Sequence, residues 1–266
     1  MGVYVGIVCS VLMLSSPALV QNSSSSNSVT GFVGTWKVNA SKSDISGDKL
    51  AIKRLANDEM QLDTAGMSYK FKVDGKPYEA FFTAMAAWKQ VDKNTWQVEN
   101  TGGGKLLWTD TLVVSPDGKT LTMKSKGVRP NGQSFEDTQT YARGSGEGLV
   151  GDWQGKSFNV ESVAIIKFDA NGADGLTLSM PGIDASVQAK FDKQDYPVKG
   201  PLIAPQYTAT LTKVDERTIR YDEKQAGKPS FVRGFQVSGD GKTMTMTITP
   251  ASPGSSLLAK IVYDRQ

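Results

Sequence analysis

The side chains able to do chemistry in this chain exclude as much as they suggest. Histidine is absent from all 266 residues and cysteine occurs once, as Cys9. A Ser-His-Asp triad, a His-ligated zinc and a haem on a proximal histidine are therefore out of reach. Gly118-Lys119-Thr120 and Gly241-Lys242-Thr243 imitate the tail of a phosphate loop. Val113 and Gln236 stand where such a loop needs its first glycine, and strands flank both triplets, so they read as hairpin turns. No catalytic residue, cofactor or metal is expected.

What remains is charge set into apolar strand faces. Leu106, Trp108, Asp110, Leu112 and Val114 share one face of an alternating run, and Pro229, Phe231, Arg233, Phe235 and Val237 share the face of another. An acid thus interrupts one apolar face and a base the other. Pointing inward, each charge needs a partner or a water-filled cavity, because burying a lone charge costs several kcal/mol. At the mouth of a barrel the charged tip would instead reach solvent, which suits the long arginine stem. The candidate ligand contacts are Arg233, Tyr196, Phe231 and Tyr263 in the second half, and Asp110, Trp108 and Tyr69 in the first.

The two faces hold matching places because the chain is a duplication. Trp36 matches Trp153, Tyr78 matches Tyr196, and Val91-Asp92-Lys93-Asn94-Thr95 matches Val214-Asp215-Glu216-Arg217-Thr218. Ser115-Pro116-Asp117-Gly118-Lys119-Thr120 matches Ser238-Gly239-Asp240-Gly241-Lys242-Thr243, and Tyr141-Ala142-Arg143 matches Tyr263-Asp264-Arg265. The period of roughly 120 residues is that of a domain rather than of a solenoid repeat. Within each copy the apolar period is two, and Asp-Gly pairs mark the hairpins. Counting the runs predicts about eight to ten short strands per copy, the number that closes an antiparallel barrel. Larger side chains in the first copy face smaller ones in the second (Met67, Tyr69 and Phe71 against Ala185, Val187 and Ala189), which predicts the roomier cavity in the second barrel, with Arg233 open to an anionic head group.

The chain opens with an apolar run from Val3 to Leu14 followed by Ser15-Ser16-Pro17-Ala18, the form of a secretory signal. The expected organisation is a signal peptide at 1–20, a Ser-rich tether at 21–30, barrel 1 at 31–143, a Gly-rich linker at 144–148 and barrel 2 at 149–266. Removal of the leader would take Cys9 with it, leaving a chain without thiols in a secreted or periplasmic setting, with no further transmembrane segment. A formal net charge of +3, with both signs interspersed, argues against a nucleic-acid partner.

Phe32-Val33-Gly34-Thr35-Trp36-Lys37, its copy Leu149-Val150-Gly151-Asp152-Trp153, and the closing strands ending near Tyr141 and Tyr263 resemble the lipocalins and fatty-acid-binding proteins of the calycin superfamily. The pattern is also similar to secreted lipocalin-like bacterial proteins. The resemblance implies an all-β fold of two tandem antiparallel lipocalin-like barrels, with Trp36 and Trp153 as structural plugs at the barrel bottoms. In the fatty-acid-binding branch an arginine two residues before the last-strand tyrosine grips the ligand carboxylate; Gln139 and Ile261 stand there instead, so that clamp does not carry over. The expected function is non-catalytic binding of a small apolar or amphipathic ligand in a barrel cavity. The alternatives are a structural or protein-interaction module with filled barrels, and a barrel enzyme of cyclase or isomerase type.

Overall fold

The computed structural model describes residues 31–81 and 84–266. The expected signal peptide, the tether and Cys9 lie outside the described residues. Period-two alternation becomes two ten-stranded antiparallel sheets, each curled until its edges nearly meet, so that the molecule is two nearly closed barrels in tandem. Among the described residues no helix is long and apolar enough to cross a membrane.

Barrel 1 is built from β2 (Lys49–Arg54), β3 (Met60–Thr64), β4 (Met67–Phe71), β5 (Pro77–Glu79), β6 (Met85–Asp92), β7 (Thr95–Gly102), β8 (Lys105–Val114), β9 (Thr120–Val128), β10 (Ser134–Glu147) and β11 (Val150–Asn159). Its spatial order is β4-β3-β2-β11-β10-β9-β8-β7-β6-β5. Barrel 2 uses β12 (Ile165–Ala170), β13 (Gly175–Met180), β14 (Ala185–Lys190), β15 (Asp195–Pro197), β16 (Tyr207–Lys213), β17 (Thr218–Gln225), β18 (Lys228–Val237), β19 (Thr243–Pro250) and β20 (Ala259–Arg265). Its tenth strand is β1 (Gly34–Val38), which lies between β12 and β20.

The repeats and the barrels therefore have different boundaries. The expected divisions 31–143 and 149–266 mark copies of a sequence unit, whereas the strands of barrel 1 run without a break from 49 to 159. Barrel 1 is inserted between the first strand of barrel 2 and the remainder of it. Gly144–Gly148 is not a linker: Gly144–Glu147 continues β10, and the chain turns through Gly148-Leu149 straight into β11, where Glu147 pairs with Val150. Gly146 is there because two β-strands approach closely, and a Cβ on it would lie 2.3 Å from the Val150 carbonyl oxygen; Gly148 instead takes φ +60° in the turn.

The chain crosses between barrels twice. After β1, Asn39 N–H donates to the Val262 carbonyl and Asp44 bridges to Lys260, so this segment still runs along β20. Ile45 is buried in the core of barrel 2, yet Asp48, three residues on, is buried against β10 of barrel 1. The return crossing is pinned by Asp137 of β10, whose carboxylate accepts from the Glu161 amide at 2.7 Å, the Ser162 amide at 2.9 Å and the Ser162 hydroxyl.

Trp36 and Trp153 are both fully buried, each in the barrel opposite to the one its repeat suggests: Trp36 in the core of barrel 2, Trp153 in that of barrel 1. Each indole N–H donates to the carbonyl four residues earlier, Phe32 at 2.8 Å and Leu149 at 3.1 Å. Over each ring lies an arginine from the last strand of the repeat, Arg265 at 4.1 Å from Trp36 and Arg143 at 4.0 Å from Trp153. The guanidinium of Arg265 also donates to the carbonyls of Gly241, Val33 and Gly31. Gly34 and Gly151 have φ of +140° and +144°, and a Cβ on Gly34 would sit 2.8 Å from Arg265 Nη1. This explains the glycine two places before each tryptophan.

Candidate functional site

Inward side chains on β8, β9 and β10 stack in layers set by strand register. Starting beside the Trp153 end, the layers are Val114–Leu121–Tyr141, then Leu112–Met123–Gln139, then Asp110–Ser125–Asp137, then Trp108–Gly127–Phe135. The acids thus lie in the half of barrel 1 away from its tryptophan plug. Asp110 is 8% exposed, and its carboxylate accepts from Asn100 Nδ2 of β7 at 2.8 Å, from Trp108 Nε1 at 3.1 Å and from the Ser125 hydroxyl. Tyr69 of β4 lies within electrostatic reach of Asp110, accepts from Trp88 Nε1 at 2.9 Å, and has its phenol pushed well up by burial. Phe71 stacks on Trp88 at 4.2 Å, and Tyr69 meets Phe81 edge-on at 4.9 Å.

A second carboxylate enters this interior from the crossing segment. Asp48 accepts from Gln139 Nε2 at 2.6 Å and from the Tyr141 hydroxyl at 3.4 Å. Burial pushes its carboxyl up to about 6, against the pull of those two donors. Tyr141 feels both Asp48 and Asp110, and its phenol, pushed far up chiefly by burial, stays protonated. The other end of the Gln139 amide, Oε1, is buried with no hydrogen-bond partner among the described residues. Gln139, in the place of the fatty-acid clamp arginine, and the last-strand Tyr141 therefore hold a carboxylate of the chain itself.

Barrel 2 carries a polar pair at the matching positions. Glu223 of β17 and Arg233 of β18 meet at 2.8 Å, Nε to Oε1, with side chains 5% and 15% exposed. Burial pushes the Glu223 carboxyl up, while the charge and hydrogen bonds of Arg233 pull it back. Burial lowers the Arg233 guanidinium, and the charge and hydrogen bond of Glu223 more than reverse that. Arg233 is thus inside the barrel and already occupied, which corrects the expectation that it waits for an anionic head group. The physical reason lies on the neighbouring strand: a guanidinium this deep needs an anion, and Glu223 sits next to it. Glu223 Oε2 and the Tyr207 hydroxyl of β16 are both buried, and among the described residues neither makes a hydrogen bond of good geometry, though Tyr207 lies close enough to Glu223 and Ser230 to interact with both. Tyr207 titrates far above its ordinary range because of burial and then the charge of Glu223.

The remaining candidates divide. Phe231 and Tyr263 are 1% and 2% exposed in the core of barrel 2, with the Tyr263 hydroxyl 4.0 Å from the Met246 sulfur that Arg233 Nη1 also approaches at 3.8 Å. They belong to the same interior as Arg233. Tyr196 packs against the same core only in part, and its hydroxyl points to Asp192, donating at 2.7 Å in a local clasp that Tyr78 and Asp74 repeat at 2.9 Å. Asp110, Trp108 and Tyr69 do come together in barrel 1. Sequence reasoning missed Asn100, Asp48 and Glu223. Glu223 was within reach, since it breaks the apolar face of Ile219 and Tyr221 as Arg233 breaks its own; Asp48, beside Gly47, reads only as a turn.

A cleft of about 710 Å³ opens on barrel 1, where Leu50, Thr64, Met67 and Trp153 meet the more polar Asp63 and Asp152. The fold defines the class: an all-β protein of two nearly closed ten-stranded barrels. Compared with models of known families, with curated proteins and with solved structures, the chain matches none.

Proposed function

We propose that this is a non-catalytic binding protein, of lipocalin-like kind and acting outside the cytoplasm, that holds a small amphipathic molecule within a β-barrel. One observation carries the reading. Each barrel sets a polar pair into a largely apolar interior at equivalent places, Asn100 with Asp110 and Glu223 with Arg233. For stability alone, apolar residues of similar volume serve as well or better, because desolvation offsets most of what a buried ion pair gains. Apolar walls with a few convergent polar groups are what a ligand site requires. The wall supplies affinity by burying the ligand's carbon chain, and the polar pair fixes the orientation of its head.

The dense packing of aromatic rings favours a second reading, a module with filled barrels: Phe168 lies 5.5 Å from Phe235, and Phe71 stacks on Trp88. Native mass spectrometry of protein purified from its own host separates the two. The expected result is a non-covalent adduct of small-molecule mass that leaves on mild activation. Bare protein throughout, together with no binding of fluorescent fatty amphiphiles, would select the filled module.

A further inference from the structure

The two interiors differ in charge at equivalent positions. Asn100 and Asp110 stand ten residues apart on β7 and β8 of barrel 1, and Glu223 and Arg233 stand ten apart on β17 and β18 of barrel 2. In barrel 2 the protein supplies both the anion and the cation. In barrel 1 it supplies Asp110 with three neutral donors, and adds the second carboxylate of Asp48. Among the described residues no ion pair involves Asp48 or Asp110. Beside Asp48, Gln139 Oε1 is a further buried acceptor to which nothing among the described residues donates. Gln139 is 3% exposed, so solvent does not meet that need.

Resting on the reading of the barrels as ligand holders, we propose that barrel 1 binds a small organic ammonium, seated between Asp48, Asp110 and the free carbonyl oxygen of Gln139. An ammonium brings the donor that Gln139 Oε1 lacks and, to the two carboxylates, the positive charge that Arg233 brings to barrel 2. It is also the form of cation that suits a place beside aromatic side chains, here Trp108 on Asp110, Tyr141 on Asp48 and Tyr69 within reach of Asp110. A hard metal ion asks instead for six or more oxygens, and no group of three or more metal-ligating acids is found among the described residues.

The test uses the full chain and three probes matched in length: n-octylammonium, 1-octanol and octanoate. Binding is followed by calorimetry and by tryptophan fluorescence, since Trp88 and Trp108 lie at the site. The ammonium should bind at least about tenfold more tightly than the alcohol, and octanoate more weakly than both. Asp110→Asn and, separately, Asp48→Asn should remove that preference while leaving the alcohol's affinity in place. Asp169→Asn, at an exposed ion pair with Lys167 on barrel 2, removes the same charge at a distance and should leave the preference intact. Equal affinity for the ammonium and the alcohol overturns the proposal but spares the parent reading of an apolar ligand. Failure of all three probes to bind overturns both. A preference unchanged in Asp110→Asn and Asp48→Asn, or calcium ion competing with n-octylammonium at equal concentration, also overturns it.

Discussion

Two buried acids at the residue scale give opposite lessons about charge. Glu223 has a partner, and its removal should be felt: Arg233→Met leaves a carboxylate buried without its cation and should cost about 3–5 kcal/mol in denaturant unfolding. The double variant Arg233→Met/Glu223→Met removes both charges and should recover most of that loss. A double variant no better than the single would mean the pair stabilises outright. Among the described residues Asp48 has only the neutral donors Gln139 and Tyr141. Its carboxyl, at about 6 in the folded protein against an ordinary 3.8, holds its proton more tightly folded than unfolded. The stabilisation from that proton is complete below pH 3.8 and is lost as pH rises through 6, on the order of 3 kcal/mol in all. Asp48→Asn should therefore raise stability at pH 8, have little effect at pH 4, and flatten the profile between them. Denaturant midpoints taken across that window check the sign.

At the scale of elements, the exchanged position of β1 makes the strongest demand. Without it barrel 2 has a gap between β12 and β20, and the Trp36–Arg265 stack that covers the end of the barrel is gone. A chain starting at Ser46 should show rapid amide hydrogen exchange in β12 and β20, with β2 to β11 protected as before. Equal protection in both barrels would show that β1 is dispensable. Most of this architecture was legible in the sequence. Alternation gave the strands, as in β19, where Met244, Met246 and Ile248 are buried. The duplication gave two barrels, and a charge on an apolar face located Asp110 and Arg233. The barrel that each tryptophan strand joins was not legible, for a physical reason. Both slots offer the same backbone edge and the same last-strand arginine, so nothing in Phe32–Lys37 or its copy distinguishes one from the other. Only the path of residues 39–48 decides, and that path depends on contacts such as Asp48 with Gln139 that no local pattern records.

For the whole molecule, the insertion of one barrel into the other predicts which pieces can stand alone. A fragment of residues 46–160 contains all ten strands of barrel 1 together with Asp48, and should fold cooperatively as a monomer. The fragment 31–148, the natural cut by repeat, lacks β11 and carries an idle β1; it should be unstable or associate with itself. Far-ultraviolet circular dichroism and sedimentation of the two fragments distinguish these outcomes. If 31–148 proves the stable piece, β1 closes its own barrel when the rest of the chain is missing.

The pairing of β1 with β20 also has a meaning in time. β1 leaves the ribosome before every other strand of either barrel, yet one of its two neighbours, β20, is the last strand to be made. Throughout synthesis, a tryptophan strand therefore waits while an equivalent slot, between β2 and β10, stands open nearby. What resolves the competition is distance along the chain. β11 follows β10 through a two-residue turn and reaches that slot at a far higher effective concentration than β1 does across its ten-residue crossing. The tight turn at Gly148-Leu149 is thus a device for timing: it seals barrel 1 early and reserves the first strand for the last.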